Sequence, residues 1–435
     1  MNQLFCGIFS ASRRYLRQYS VLAPLALDHQ KVVPKRMQRR DKERRIARVK
    51  LYLSLGKIAC ACGCLSTCKS VAVVIISLCC ALPKAAAVEE QWFATFQNPP
   101  EGVQPLTEAL RPLLLDRSGD QITSWQHWLT ERSWIESQWR DFLGPINVIP
   151  PPHTYSVVSS DMIDGCSREL IRYESEPGET VEAYLLWPAH SKTREPLLRH
   201  PALVVFHATN RTSIEEVAGF NGNPNDQLGL FFAKRGYVVI CPRCFLWSMS
   251  PEHVLDVKQP VADFHKRHPG AIGMHKMLYD AMRAVDVISA IAGVDSENIG
   301  AVGHSLGAKE TLYLSAFDPR VKAAVASEGG IGLAFTNWSD PWYLGSAVKE
   351  PQFLRNHHEL LAMIAPRGIL VVAGESGAGA ADGDRSWPYV ESAIAVSRLN
   401  KNKARIGFFN HRQGHSLPSE ALEKMSLFFD ACLKP

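Results

Sequence analysis

Gly303-His304-Ser305-Leu306-Gly307 joins an apolar run, NIGAV, to an amphipathic one, and its spacing suits a serine that attacks a carbonyl carbon. A nucleophile held on a tight strand-to-helix turn needs glycine two residues before it and two after, because side chains there would meet the neighbouring strand or helix. The turn lifts the Ser305 hydroxyl above the sheet. It also aims the backbone N–H of Leu306, at the positive end of the next helix, at an oxygen gaining charge. A serine hydroxyl needs a base, and the base needs a carboxylate to hold its tautomer and stabilise the imidazolium. His415, in the segment 410–418 ahead of the last helical pattern, is the expected base, with His411 as the alternative. For the acid, Asp384 in DGDRSWP is preferred; Asp382 beside it and Glu328 in Ser327-Glu328-Gly329-Gly330 are the alternatives. Ala208 or Thr209, where Phe206-His207-Ala208-Thr209-Asn210 ends an earlier apolar run, would supply a second oxyanion donor, with His207 shaping that loop. This chemistry requires no cofactor.

No metal is expected. His265, His268, His275, His357 and His358 lack an HExxH or comparable spacing. Cys60, Cys62, Cys64 and Cys68 have neither CxxC pairs nor histidine partners and lead into an apolar run. Cys241 and Cys244 do form a CxxC, but it ends a strand-like run instead of opening a helix, so they read as structural or disulfide-bonded cysteines.

The elements that must position these residues are legible from about residue 151. Short apolar runs bounded by turn residues alternate with amphipathic segments, which is the pattern of a parallel sheet covered by helices. Strands are expected at ALVVFHA (202–208), YVVICP, NIGAVGHS, VKAAVAS, GILVVAG and ARIGFFNH. Helices are expected at QLGLFFAKRGY, HKMLYDAMRAVDVISAIAGV, GAKETLYLSAF, YVESAIAVSRL and SEALEKMSLFFDACL. With the serine on its strand-to-helix turn, this rhythm is that of the α/β-hydrolase fold: a mostly parallel central sheet with helices on both faces. Residues 246–272 and 331–358, rich in Trp, His and Pro, are expected to rim the pocket. Residues 88–150 read as a helical prelude in which Trp125, Trp128, Trp134 and Trp139 pack rather than bind. The expected organisation is therefore 1–87, an N-terminal extension; 88–150, the prelude; and 151–435, the catalytic domain.

From Gly303 to about Trp338 the chain resembles the dienelactone-hydrolase-like esterases and the glucuronoyl and acetyl xylan carbohydrate esterases. Lys309 stands four positions after the serine and Glu328 stands 23 after it in an E-x-G-type turn, as in glucuronoyl esterases, and HELLAMIAPRGILVV (358–372) is also similar. The resemblance implies that Lys309 contacts substrate hydroxyls and that Trp338 or Trp342 stacks on a sugar ring. It implies a small-molecule or carbohydrate ester as substrate. Two departures stand out: Leu306 occupies the place of the arginine that follows the glucuronoyl esterase nucleophile, and Ser305 that of the dienelactone hydrolase cysteine. A serine peptidase of the same fold and a non-catalytic binding protein are the rival readings.

Residues 1–87 carry 16 Lys and Arg against 3 Asp and Glu, so the chain's formal +5 hides an acidic body and no nucleic-acid partner is expected. The apolar run 71–82, VAVVIISLCCAL, follows Lys57 and Lys69 and precedes Ala85-Ala86-Ala87, the order of a signal peptide. At 12 residues it is shorter than the roughly 20 that span a bilayer. Export to a secreted or periplasmic location is expected from segment 57–87, with no stable membrane span after processing, and a start near residues 50–70 would place the run where a signal peptide needs it. A membrane anchor with a basic tail is the alternative.

Overall fold

The computed structural model describes residues 93–434 apart from 104, 107–109, 189–198, 221, 248–254, 378 and 402–404. The segment 57–87 and the cysteine cluster at 60–68 lie outside the described residues. The sheet opens on three antiparallel strands that the sequence pattern does not single out: β1 (Tyr155–Ile163), β2 (Cys166–Glu176) and β3 (Glu179–Trp187). β1 is exposed along almost its whole length, so no buried face imposes the alternation by which a strand is recognised.

The remaining strands are β4 (His200–Phe206), β5 (Val238–Pro242), β6 (Val294–His304), β7 (Val321–Ser327), β8 (Gly368–Ala373) and β9 (Ile406–Asn410). They run parallel to one another, and β5 joins β3 antiparallel, giving the order β1-β2-β3-β5-β4-β6-β7-β8-β9 among the described residues. The runs are continuously apolar because both faces are covered. In β4, Ala202, Val204 and Phe206 enter one core cluster while Leu203 and Val205 enter the other, the two-residue period of a strand.

Nine α-helices lie among the described residues: α1 (Trp125–Leu143), α2 (Ile214–Val217), α3 (Leu228–Ala233), α4 (Gln259–Arg267), α5 (Gly273–Ala290), α6 (Leu306–Phe317), α7 (His357–Ile364), α8 (Trp387–Ser397) and α9 (Ser419–Leu433). Residues of α1, α5, α6, α7 and α8 join the first cluster, and α3 and α9 join the second, so helices cover both faces of the sheet. This is the α/β-hydrolase fold. In α1, Trp128, Glu131, Ile135, Trp139 and Leu143 form the buried stripe. Trp139 Nε1–H donates to Glu359 Oε2 at 2.8 Å, and Trp125 and Trp134 pack half-buried on the same core, so these tryptophans hold the prelude down. Cys241 and Cys244 are two separate buried thiols rather than a disulfide, and burial pushes both thiol pKa values up.

Candidate active site

Ser305 sits between the end of β6 and the start of α6 with φ +58°, a left-handed conformation that a side chain adopts only where the surroundings enforce it. Its N–H donates to Ser327 O on the adjacent strand at 2.8 Å, and its carbonyl accepts from Ala308 N–H at 3.1 Å. The two glycines are required by space. A Cβ on Gly307 would lie 2.5 Å from the carbonyl oxygen of Phe206, and one on Gly303 would strike the backbone of Gly307. Leu306 and Gly307 therefore begin α6 against the end of β4, and their N–H groups belong to the first turn, which has no acceptors within the helix.

A cavity of about 370 Å³ opens at this turn, lined by Ser305, His304, His415 and Ala208 among others. Small-molecule sites span about 300–1,000 Å³. His415 Nδ1–H donates to Glu328 Oε2 at 3.2 Å. Glu328 follows β7, again with positive φ (+55°), and its side chain is fully shielded from solvent. Its carboxylate also accepts Ala381 N–H at 2.7 Å and the N–H of Gly374.

The aspartates are engaged elsewhere. Asp384, the acid preferred from sequence, accepts from Asn410 Nδ2 at 2.8 Å and from Arg412 Nη1 at 2.7 Å. Asp382 accepts Gly330 N–H at 2.9 Å, Ile331 N–H at 2.7 Å and Ser386 O–H at 2.7 Å, so it shapes the turn after Glu328. Burial, with Glu328 nearby, raises the Asp382 pKa. Of the three candidate carboxylates, the fold brings Glu328 to His415 and leaves Asp384 and Asp382 with other partners. His411 is buried but lines no part of this cavity; its N–H donates to Ala373 O at 2.8 Å.

His207 is wholly buried. Its Nδ1–H donates to Ala208 O at 2.8 Å, and its Nε2 accepts Cys244 N–H at 3.1 Å, so the ring braces the loop that carries Ala208 and Thr209. Burial holds its pKa down at about 4, in keeping with the neutral tautomer those two bonds require.

Lys309 and Trp338, expected at the substrate surface, lie in the interior instead. Lys309 Nζ donates to Gly329 O and Thr336 Oγ1, both at 2.7 Å, and stands 4.3 Å above the Trp338 ring. Burial lowers its pKa to about 7 against the pull of Asp382 and Asp340. Trp338 is 1% exposed and donates Nε1–H to Gly330 O at 2.6 Å. Both side chains therefore support the turn after Glu328, and Trp342 packs half-buried on the core. The expected rim differs as well. The described residues of 246–272 and 331–358 do not line the cavity at Ser305; Asn210, Glu216, Val217, Asn223, Asp226 and Leu228 do. Residues 333–358 contribute to a second cavity of about 600 Å³ with Leu110 and Arg111.

Two features of the site were not anticipated from sequence. His304 lies on His415, with ring centroids 4.6 Å apart, and its Nδ1 hydrogen-bonds Ser327 Oγ at 3.1 Å. Its place directly before Ser305 was the available signal. The second is the pair Glu216 and Asp226, the carboxylates of the cavity wall, whose pKa values burial raises. They come from α2 and a short 3-10 turn (Pro224–Asp226), whose sequence carries no periodicity long enough to place them.

The dienelactone hydrolase family matches residues 182–353. No curated protein matches the chain. Among solved structures, the chain is similar to a glucuronoyl esterase from Solibacter usitatus, at TM-score 0.59 and 16% identity over 76% of this chain and 99% of that one. A CE15 glucuronoyl esterase from Teredinibacter turnerae T7901 aligns at TM-score 0.55 and 18% identity, covering 78% and 99%. The glucuronoyl esterase catalytic domain from Hypocrea jecorina aligns at TM-score 0.51 and 17% identity, covering 77% and 92%. At these identities the likeness is one of fold.

Proposed function

We propose that this α/β-hydrolase, which matches the dienelactone hydrolase family over residues 182–353, is a serine esterase acting on carboxylic esters, carbohydrate-linked ones among them. The observation that carries the reading is the meeting of Ser305 and His415 on one cavity, with His415 Nδ1 turned to a fully shielded Glu328 carboxylate. With Nδ1–H committed to Glu328, Nε2 is the nitrogen left to take the Ser305 proton as Oγ attacks the ester carbonyl. The developing oxyanion is received by backbone N–H groups, that of Leu306 from the first turn of α6 and that of Ala208 from the loop braced by His207. Collapse expels the alcohol, which takes the proton from His415, and leaves an acyl-serine. Water, deprotonated by the same imidazole, then releases the acid.

The solved structures that share the fold carry glucuronoyl esterase names, which supports the carbohydrate reading. Export is part of the proposal and rests on segment 57–87; N-terminal sequencing of the mature protein should place the cleavage after Ala85-Ala86-Ala87. The activity itself is tested by assaying short-chain aryl esters and benzyl glucuronate with the wild type and Ser305→Ala. The substitution should reduce kcat by at least about a thousandfold. Retained activity in Ser305→Ala would refute the assignment.

A further inference from the structure

The hydrolytic steps make no use of His304, yet the fold invests in holding it. It ends β6, opposite Ser327 on β7 in register, and that pairing puts the Ser327 hydroxyl 3.1 Å from Nδ1. The ring is buried, and its centroid lies 4.6 Å from that of His415 at an interplanar angle of 43°. His415 itself is half-exposed on a loop after β9, with one ring hydrogen bond to Glu328. A single hydrogen bond fixes a direction but leaves an imidazole free to rotate about it. A second ring in contact with it, tilted by 43°, restricts that freedom. Ser305 and His304 are chain neighbours, so the surface that His415 rests on is rigidly tied to the nucleophile.

We propose that His304 is a positioning residue for the general base: its buried ring, in contact with His415, fixes the plane of that imidazole so that Nε2 points at Ser305 while Nδ1 stays on Glu328. This rests on the reading of Ser305 and His415 as nucleophile and base. Burial, together with the charges of His415 and His411, lowers the His304 pKa to about 3, so it stays neutral and offers an uncharged aromatic face when His415 becomes an imidazolium. A charged neighbour at this distance would oppose proton transfer to His415; a neutral ring does not.

The test uses the full chain carrying His304→Ala or His304→Phe, with active sites counted by end-point labelling with a fluorophosphonate so that kcat refers to intact sites only. His304→Ala should lower kcat on an aryl ester at least about tenfold with KM changed less than about twofold, because small misplacements of a reacting group act on the chemical step. His304→Phe restores the packed face without the Ser327 bond and should recover kcat to within about threefold of wild type. The inference is overturned if His304→Ala keeps its kcat, if the loss falls on KM, or if His304→Phe is as slow as His304→Ala. Failure of the underlying reading looks different: Ser305→Ala would then still hydrolyse the ester, or no variant would take the label.

Discussion

Among single residues, Glu328 matters most for the proposed chemistry. Its carboxylate is shielded, receives two backbone N–H groups and faces His415, whereas the Asp384 carboxylate is held by Arg412 and Asn410. Glu328→Gln should leave the fold in place and lower kcat by about a hundredfold or more, since the amide can present N–H to His415 and select the wrong tautomer. Asp384→Asn should leave kcat/KM within about threefold of wild type and cost about 1–2 kcal/mol of stability through its lost partners. Steady-state kinetics with denaturant titration separates the two, and an inactive, stable Asp384→Asn would reverse the assignment. From sequence Asp384 is preferred over Glu328: both follow a parallel strand, and the loop after β8 reads as the better place for the acid; the fold instead brings Glu328, at the end of β7, to His415.

At the scale of elements, the turn between β6 and α6 is where packing tolerates least. Gly307→Ala would put a methyl group against the Phe206 carbonyl, backbone against which no side chain can yield. We expect a loss of about 3 kcal/mol or more in urea unfolding, together with loss of activity, while Gly236→Ala, with open space around its Cβ but a φ of +92°, should cost only about 1 kcal/mol. The parallel strands and their helices were legible because each strand is a short apolar run ended by polar or turn residues and each helix an amphipathic segment between them. β1 to β3 were not: β1 is exposed along almost its whole length, and β2 and β3, though largely buried, interleave charged residues with their apolar ones, so neither reads as a clean apolar run. α7 was missed too: HHELLAMI is buried all round and so lacks an amphipathic period. The interior positions of Lys309 and Trp338 were hidden as well. The resemblance sends Lys309 to the substrate, and only the folded segment after β7 brings the Gly329 carbonyl and the Thr336 hydroxyl to its Nζ inside.

For the molecule as a whole, charge and architecture set what reaches the serine. The cavity wall holds Glu216 and Asp226, and no lysine or arginine is among the described residues that line it. Esters bearing a carboxylate near the scissile bond should therefore be poor substrates. The ratio of kcat/KM for a neutral ester over its carboxylate-bearing analogue should exceed about tenfold at low salt and shrink as salt screens the pair. A higher rate with the anionic ester would contradict the electrostatic account of the wall. Residues Val88–Pro435 form one compact unit, so this part of the chain should unfold cooperatively when produced alone.

The claim on which the rest depends is that Ser305 is the nucleophile. The most direct measurement is to treat the folded protein with a fluorophosphonate at neutral pH and map the adduct by peptide mass spectrometry, with His415→Ala in parallel. The account predicts a single stoichiometric adduct on Ser305 in the wild type, formed at least about a hundredfold more slowly in His415→Ala. An adduct on another serine, or ester hydrolysis by folded protein whose Ser305 remains unlabelled, would contradict it.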